Sequence, residues 1–173
     1  MRSLKMSLNH GASAKVLLVG QMLMVMMVIA SAAKPLPGKK KAFLDAHNAI
    51  RAEVGVGPMT WNKTLENYAQ KYANSRLSKN CEFEHSGGPY GENLAEGYGE
   101  MTGDAVRYWA TEKSKYDYAS NSCAQNDICG HYTQVVWRNS VRLGCATVNC
   151  GKGLVFSICN YDPPGNYMGE RPY

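Results

Sequence analysis

The chain has 173 residues, 45% of them hydrophobic, and a formal net charge of +5 from 19 lysines and arginines against 14 acids. That is the make-up of a folded domain with a core, and it excludes a highly charged disordered chain. No block of interleaved aromatic and basic residues is present, so nothing in the charge pattern suggests a nucleic-acid partner.

Residues 1–33 read as a signal peptide. Arg2, Lys5 and Lys15 stand before the apolar run Val16 to Ile29, which Gly20 and Gln21 alone interrupt, and the run closes on Ala30, Ser31, Ala32 and Ala33. Such a run is shorter than the roughly 20 residues of a membrane span. Removal of residues 1–33 takes three of the 19 basic residues and no acid, leaving residues 34–173 with a net charge of +2. One secreted domain, not anchored in a membrane, is therefore expected over 34–173. Lys34, Lys39, Lys40 and Lys41 form its one basic cluster, read as a solvated, flexible terminus.

Phe43, Leu44, His47, Ile50 and Val54 recur at helical spacing, so the pattern predicts a first helix over Lys41 to Val54, stopped by Gly55, Gly57 and Pro58. Asn62 is the expected N-cap of a second helix reaching about Leu77, with Leu65, Tyr68, Ala69, Tyr72 and Ala73 inward. Residues 80–91 read as irregular. Thr102 is the expected cap of a third helix that carries Asp104, Val106, Trp109 and Glu112 to about Lys115. Strands are expected at Gln134 to Arg138, Gly144 to Asn149 and Leu154 to Asn160, the last two joined as a hairpin across Gly151-Lys152-Gly153. Helices precede strands instead of alternating with them, which favours a layered α+β domain over a parallel fold.

All six cysteines, Cys81, Cys123, Cys129, Cys145, Cys150 and Cys159, follow the leader, and no C-x2-C pair occurs. An even count in an exported chain reads as three disulfides, for which the sequence permits 15 connectivities. Asn62-Lys-Thr64 is the one N-x-S/T sequon in the exported part, and its glycosylation competes with the cap role of Asn62.

Three histidines remain after the leader. His47 lies on the apolar stripe of helix one and reads as a core histidine, whereas His85 and His131 stand in glycine-rich context close to Cys81 and Cys129. Two carboxylates share that setting: Glu92 in Tyr90-Gly-Glu-Asn-Leu-Ala, and Glu112 beyond Trp109. If the four meet, two imidazoles and two carboxylates suit either a divalent cation such as zinc or a closed hydrogen-bond network. Spacing alone leaves both open. Nucleophilic catalysis has little support: there is no G-x-S-x-G elbow, and Ser86, next to His85 in the chain, is poorly placed to pair with it.

Four stretches carry a family resemblance: Ala46-His-Asn-Ala-Ile-Arg51, His85 with Tyr90-Gly-Glu-Asn-Leu-Ala95, Cys129-Gly-His-Tyr-Thr-Gln-Val-Val-Trp137, and Cys159-Asn-Tyr-Asp-Pro-Pro-Gly-Asn166. Together they resemble the superfamily of cysteine-rich secretory proteins, antigen-five allergens and plant pathogenesis-related group-one proteins, and the ending Arg171-Pro-Tyr173 points to the plant branch. The resemblance implies an α-β-α sandwich around a mainly antiparallel sheet, and a cleft in which His85, Glu92, Glu112 and His131 converge. It implies the disulfides Cys81–Cys150, Cys123–Cys129 and Cys145–Cys159. It implies zinc or another divalent cation as a cofactor of some members, and it does not establish an enzyme. It further implies a monomer in the apoplast, active against oomycetes and fungi, with a sterol or other lipid of pathogen membranes as its partner. No copy of the aromatic sterol-loop pattern known elsewhere in the superfamily is found, although Tyr116 and Tyr118 follow helix three. Two further readings stand beside this one. One is a metal-dependent hydrolase with Glu92 or Glu112 as general base. The other is a carrier that releases residues 163–173 as a signalling peptide.

Overall fold

The computed structural model describes residues 38–173, so the expected signal peptide lies outside the described residues. The helix α1 spans Gly38–Glu53 and turns Phe43, His47 and Ile50 inward along one stripe. After it come β1 (Thr60–Trp61) and α2 (Lys63–Leu77). Asn62 caps α2 as expected, its Oδ1 accepting the Leu65 N–H at 3.1 Å. The strand β2 is Gly91–Tyr98, and α3 is Gly103–Ala110, tightening into a 3-10 turn over Thr111–Lys115. The short strands β3 (Tyr116–Asp117) and β4 (Ser122–Cys123) make a small hairpin; α4 is Gly130–Val135. The long strands β5 (Arg142–Gly151) and β6 (Leu154–Asp162) close the fold.

The main sheet runs in the order β1-β5-β6-β2 and is antiparallel except at β1–β5. Its alternating side chains divide between two cores. On one face Ala95, Leu143, Cys145, Cys159 and Tyr161 meet α1, α3 and α4 through Phe43, Ile50, Val106, Trp109 and Tyr132. On the other, Leu94, Ala146, Val148, Phe156 and Ile158 meet α2 through Ala69 and Ala73. The result is an α-β-α sandwich. Gly144 permits this packing, because a Cβ there would sit 2.1 Å from the Glu66 backbone nitrogen of α2.

Three bridges form, Cys81–Cys150, Cys123–Cys129 and Cys145–Cys159, and among the described residues no cysteine is free. Cys145 and Cys159 face each other across β5 and β6. Cys81–Cys150 ties the irregular segment after α2 to the far end of β5.

Several sequence expectations need correction. The strand expected over Gln134 to Arg138 does not form: Gln134 and Val135 end α4 and the chain then turns. The β-branched run there is buried against the helical layer, so the apolar signal was real and its period misleading. The edge strand β2 was missed because two glutamates and two glycines break its apolar pattern. Thr102 makes no side-chain cap bond, and Glu112 belongs to the 3-10 turn instead of an α-helix. Of the basic cluster, Lys34 lies outside the described residues, while Lys39, Lys40 and Lys41 are part of α1, with Lys40 paired to Glu66 at 2.8 Å, and so are not a flexible terminus. Tyr68 and Tyr72 are only half-buried, while Arg76, whose charge hides it from a hydrophobic pattern, is buried on α2. Among the described residues no helix is long and apolar enough to cross a membrane.

Candidate functional site

The end position of β2 in the sheet leaves its outer edge without a partner strand among the described residues. Trp109 covers part of it, its indole N–H donating to the Leu94 carbonyl at 2.9 Å. Between this edge and α3 lies a cleft of about 790 Å³ whose wall includes Phe83, Leu94, Glu96, Tyr108, Glu112 and His131. The four candidate residues flank β2 as two pairs, one on each face of the sheet.

On the α3–α4 side, His131 Nδ1 pairs with Glu112 Oε1 at 2.7 Å. The other oxygen of Glu112 accepts the backbone N–H groups of His131 and Tyr132 at 3.0 and 3.2 Å. The carboxylate thereby satisfies donors that the first turn of a helix leaves open. The His131 ring lies parallel to Trp109, 11° between planes with centroids 6.2 Å apart.

On the α2 side, His85 Nδ1 pairs with Glu92 Oε1 at 2.8 Å. Ser86 donates its N–H to the same oxygen at 2.8 Å and its hydroxyl to Oε2 at 2.6 Å, and Asn160 adds a donor to Oε2 at 3.1 Å. Burial alone would push the Glu92 carboxyl up, but these four donors outweigh it and hold the group below its ordinary value of 4.5. The hydrogen bond to Glu92 raises His85 against a smaller effect of burial. Ser86 gives its proton to Glu92 and accepts from Tyr68, so it forms no Ser-His dyad.

The two pairs are joined through β2. Asn93, next to Glu92, donates to the His131 carbonyl at 3.0 Å and to the Tyr161 hydroxyl at 3.1 Å. That hydroxyl reaches His47 Nε2 at 2.8 Å, and His47 Nδ1 donates to the Phe43 carbonyl at 2.8 Å. A tautomer with the proton on Nδ1 satisfies every member. Burial lowers His47 to about 4, so it is neutral there. Beside it the fully buried Arg51, which the sequence reading passed over, donates to the carbonyls of Gly57, Val135, Trp137 and Arg138. It holds the end of α4 to α1, and burial lowers it to about 10. A buried arginine leaves no mark in a sequence pattern beyond its helical spacing from His47.

A protein-held zinc takes about four nitrogen, sulfur or oxygen donors. Among the described residues no three His, Cys, Asp or Glu side chains are gathered into such a group. Each Nδ1 of the candidate histidines is committed to its own carboxylate, which leaves two Nε2 atoms as free donors. Two nitrogen donors fall short of the set a protein-held zinc needs.

At the C-terminus, residues 166–171 are exposed and the end is tied down. Tyr173 stacks on Tyr118 with centroids 4.9 Å apart, its carbonyl accepts the Tyr118 hydroxyl, and Arg171 donates to the carbonyls of Tyr118 and Ala119.

Comparison with known proteins matches residues 44–161 to the cysteine-rich secretory protein family, CAP. Pathogenesis-related protein 1A of Nicotiana tabacum is 59% identical over 133 residues, 76% of this chain and 79% of that one. Pathogenesis-related protein 1 of Arabidopsis thaliana is 49% identical over 167 residues, 96% of this chain and all of that one. Venom allergen-like protein 4 of Schistosoma mansoni superposes with a TM-score of 0.64 at 29% identity, covering 80% of this chain and 95% of that structure. The chain belongs to the cysteine-rich secretory protein family, on the branch of the plant pathogenesis-related group-one proteins.

Proposed function

We propose that this is a plant defence protein, exported to the apoplast as a monomer, that acts on oomycetes and fungi by capturing a sterol or another lipid of their membranes in the cleft beside β2. The relatives named for pathogenesis support the defence role, and three disulfides suit an oxidising compartment. The observation that carries the lipid reading is the cleft itself, whose wall exposes three large apolar side chains: Phe83 at 49%, Tyr108 at 65% and Ile128 at 65%. Exposed apolar groups gathered around a concavity mark binding sites. In this reading Glu112 and His131 are part of the cleft wall, and His85 and Glu92 hold the segment on the other face of β2 in place. The hydrolase reading has less to rest on, because it needs a metal to activate water and, among the described residues, no three metal-ligating side chains are gathered. Residues 163–173 act as a packed tail, in keeping with the contacts of Arg171 and Tyr173.

The test is extraction of ergosterol from vesicles by the exported protein and by Ile128→Asp. The wild type should carry sterol into the soluble fraction, and the variant, with a charge at the rim, several-fold less. Equal extraction by both, or no extraction together with chelator-sensitive proteolysis, would overturn the proposal.

A further inference from the structure

The cleft wall is not uniformly apolar. Beside Phe83, Leu94, Met101, Tyr108 and Ile128 it carries four carboxylates, Glu96, Asp104, Glu112 and Asp127, against a single lysine, Lys115, and His131. Three of the carboxylates have partners: Lys115 holds Asp127 at 2.7 Å, His131 holds Glu112, and Arg107, from outside the wall, holds Asp104. Glu96 is exposed and has no ion pair among the described residues. The Lys115–Asp127 pair is itself largely exposed, 45% and 40%, so it is weak and open to exchange.

These charges discriminate among amphiphiles. An anionic lipid would meet the unpaired Glu96 and find the one lysine of the wall already engaged. A neutral lipid gains from the apolar side chains alone. An ammonium group gains from both parts of the wall, pairing with Glu96 directly and with Asp127 in competition with Lys115. We propose that the cleft selects an amphiphile with a cationic amino head, of the long-chain amine class, its chain against Phe83, Tyr108 and Ile128 and its ammonium among the carboxylates. This rests on the lipid reading above and names the head group.

Isothermal titration of the exported protein with dodecylamine, dodecanol and dodecanoate, below their aggregation concentrations, tests it, with ergosterol as the reference lipid. The amine should bind tightest and the carboxylate weakest, and the amine's advantage over the alcohol should shrink as salt screens the wall. Two variants should move in opposite directions, which damage to the fold would not produce. Glu96→Gln should weaken amine binding about threefold, and Lys115→Gln, by freeing Asp127, should strengthen it by about the same factor. Alcohol and amine binding equally, or both variants shifting the same way, would overturn the head-group inference and leave the lipid reading standing. Failure of every chain and of ergosterol to bind would overturn both.

Discussion

The two regions that meet at β2 are held in place by different means. The segment 79–90, which carries His85, is mostly exposed, with Cys81 buried and Ser86 and Tyr90 half-buried. A bridge to β5 and the four donors on Glu92 fix it. The α1–α3–α4 layer, which carries His131, is fixed by burial, with its His47 and Trp109, and Asn93 and Tyr161 of the sheet against it, at or below 1% exposure. The two regions also answer acid in opposite ways. His85, raised, supports the fold below the ordinary histidine value of 6.5 and loses that support as pH rises through its folded value. Glu92, lowered, adds support above 4.5 that is lost only as pH falls through its own folded value. His47, lowered to about 4, does the reverse of His85: its contribution is complete above 6.5 and is lost as pH falls from 6.5 toward 4. Mild acid therefore strengthens the rim pair and strains the core beneath it.

The largest effect should come from cutting the exposed region's covalent tie. Replacing both Cys81 and Cys150 by alanine opens a loop with a sequence separation of 69 and should cost about 4 kcal/mol by denaturant melting in the chain-entropy model. Amide exchange should quicken over 79–90 and stay slow in α1 and α3. Equal loss of protection in both regions would show that they are not held separately.

Next is acid. Unfolding free energy should fall by about 3 kcal/mol between neutral pH and pH 4, the linkage expected for a buried His47 lowered from 6.5 to about 4. His47→Gln should flatten that slope. A slope unchanged in the variant would remove His47 as its source.

Tyr161→Phe should cost about 2 kcal/mol, since it leaves the buried His47 Nε2 without a donor and removes one acceptor from Asn93. The His131 amide resonance should move with it, because Asn93 also holds the His131 carbonyl. A shift confined to α1 would break the connection drawn between core and cleft.

Ser86→Ala is the smallest change, about 1 kcal/mol or less. It removes one of the four donors on Glu92, so the Glu92 titration should move upward while His47 does not respond. Movement of both would mean that the two regions are coupled more tightly than their hydrogen bonds indicate.

Much of the α-helical frame was legible because its apolar residues recur at helical spacing: Phe43, His47 and Ile50 on α1, and Leu65, Ala69 and Ala73 on α2 below its Asn62 cap. The β5–β6 hairpin was legible from its β-branched runs and the glycines of the turn. The edge strand β2 was not, because Glu92 and Glu96 do local work with His85 and in the cleft wall that a core strand would not need. His85, Glu92, Glu112 and His131 could be singled out by chemistry and family motif, but which imidazole meets which carboxylate depends on the sheet that separates them. The His47–Tyr161–Asn93 chain joins positions 47, 161 and 93, and only the tertiary fold brings these together.

The proposed ligand site is the cleft between α3 and the edge of β2. Titrating ergosterol into isotope-labelled protein while following amide resonances tests it most directly. Saturable shifts at Leu94, Glu96, Tyr108, Ile128 and His131 are the predicted result; shifts confined to the groove around Trp137 and Met168, or none at all, would contradict it.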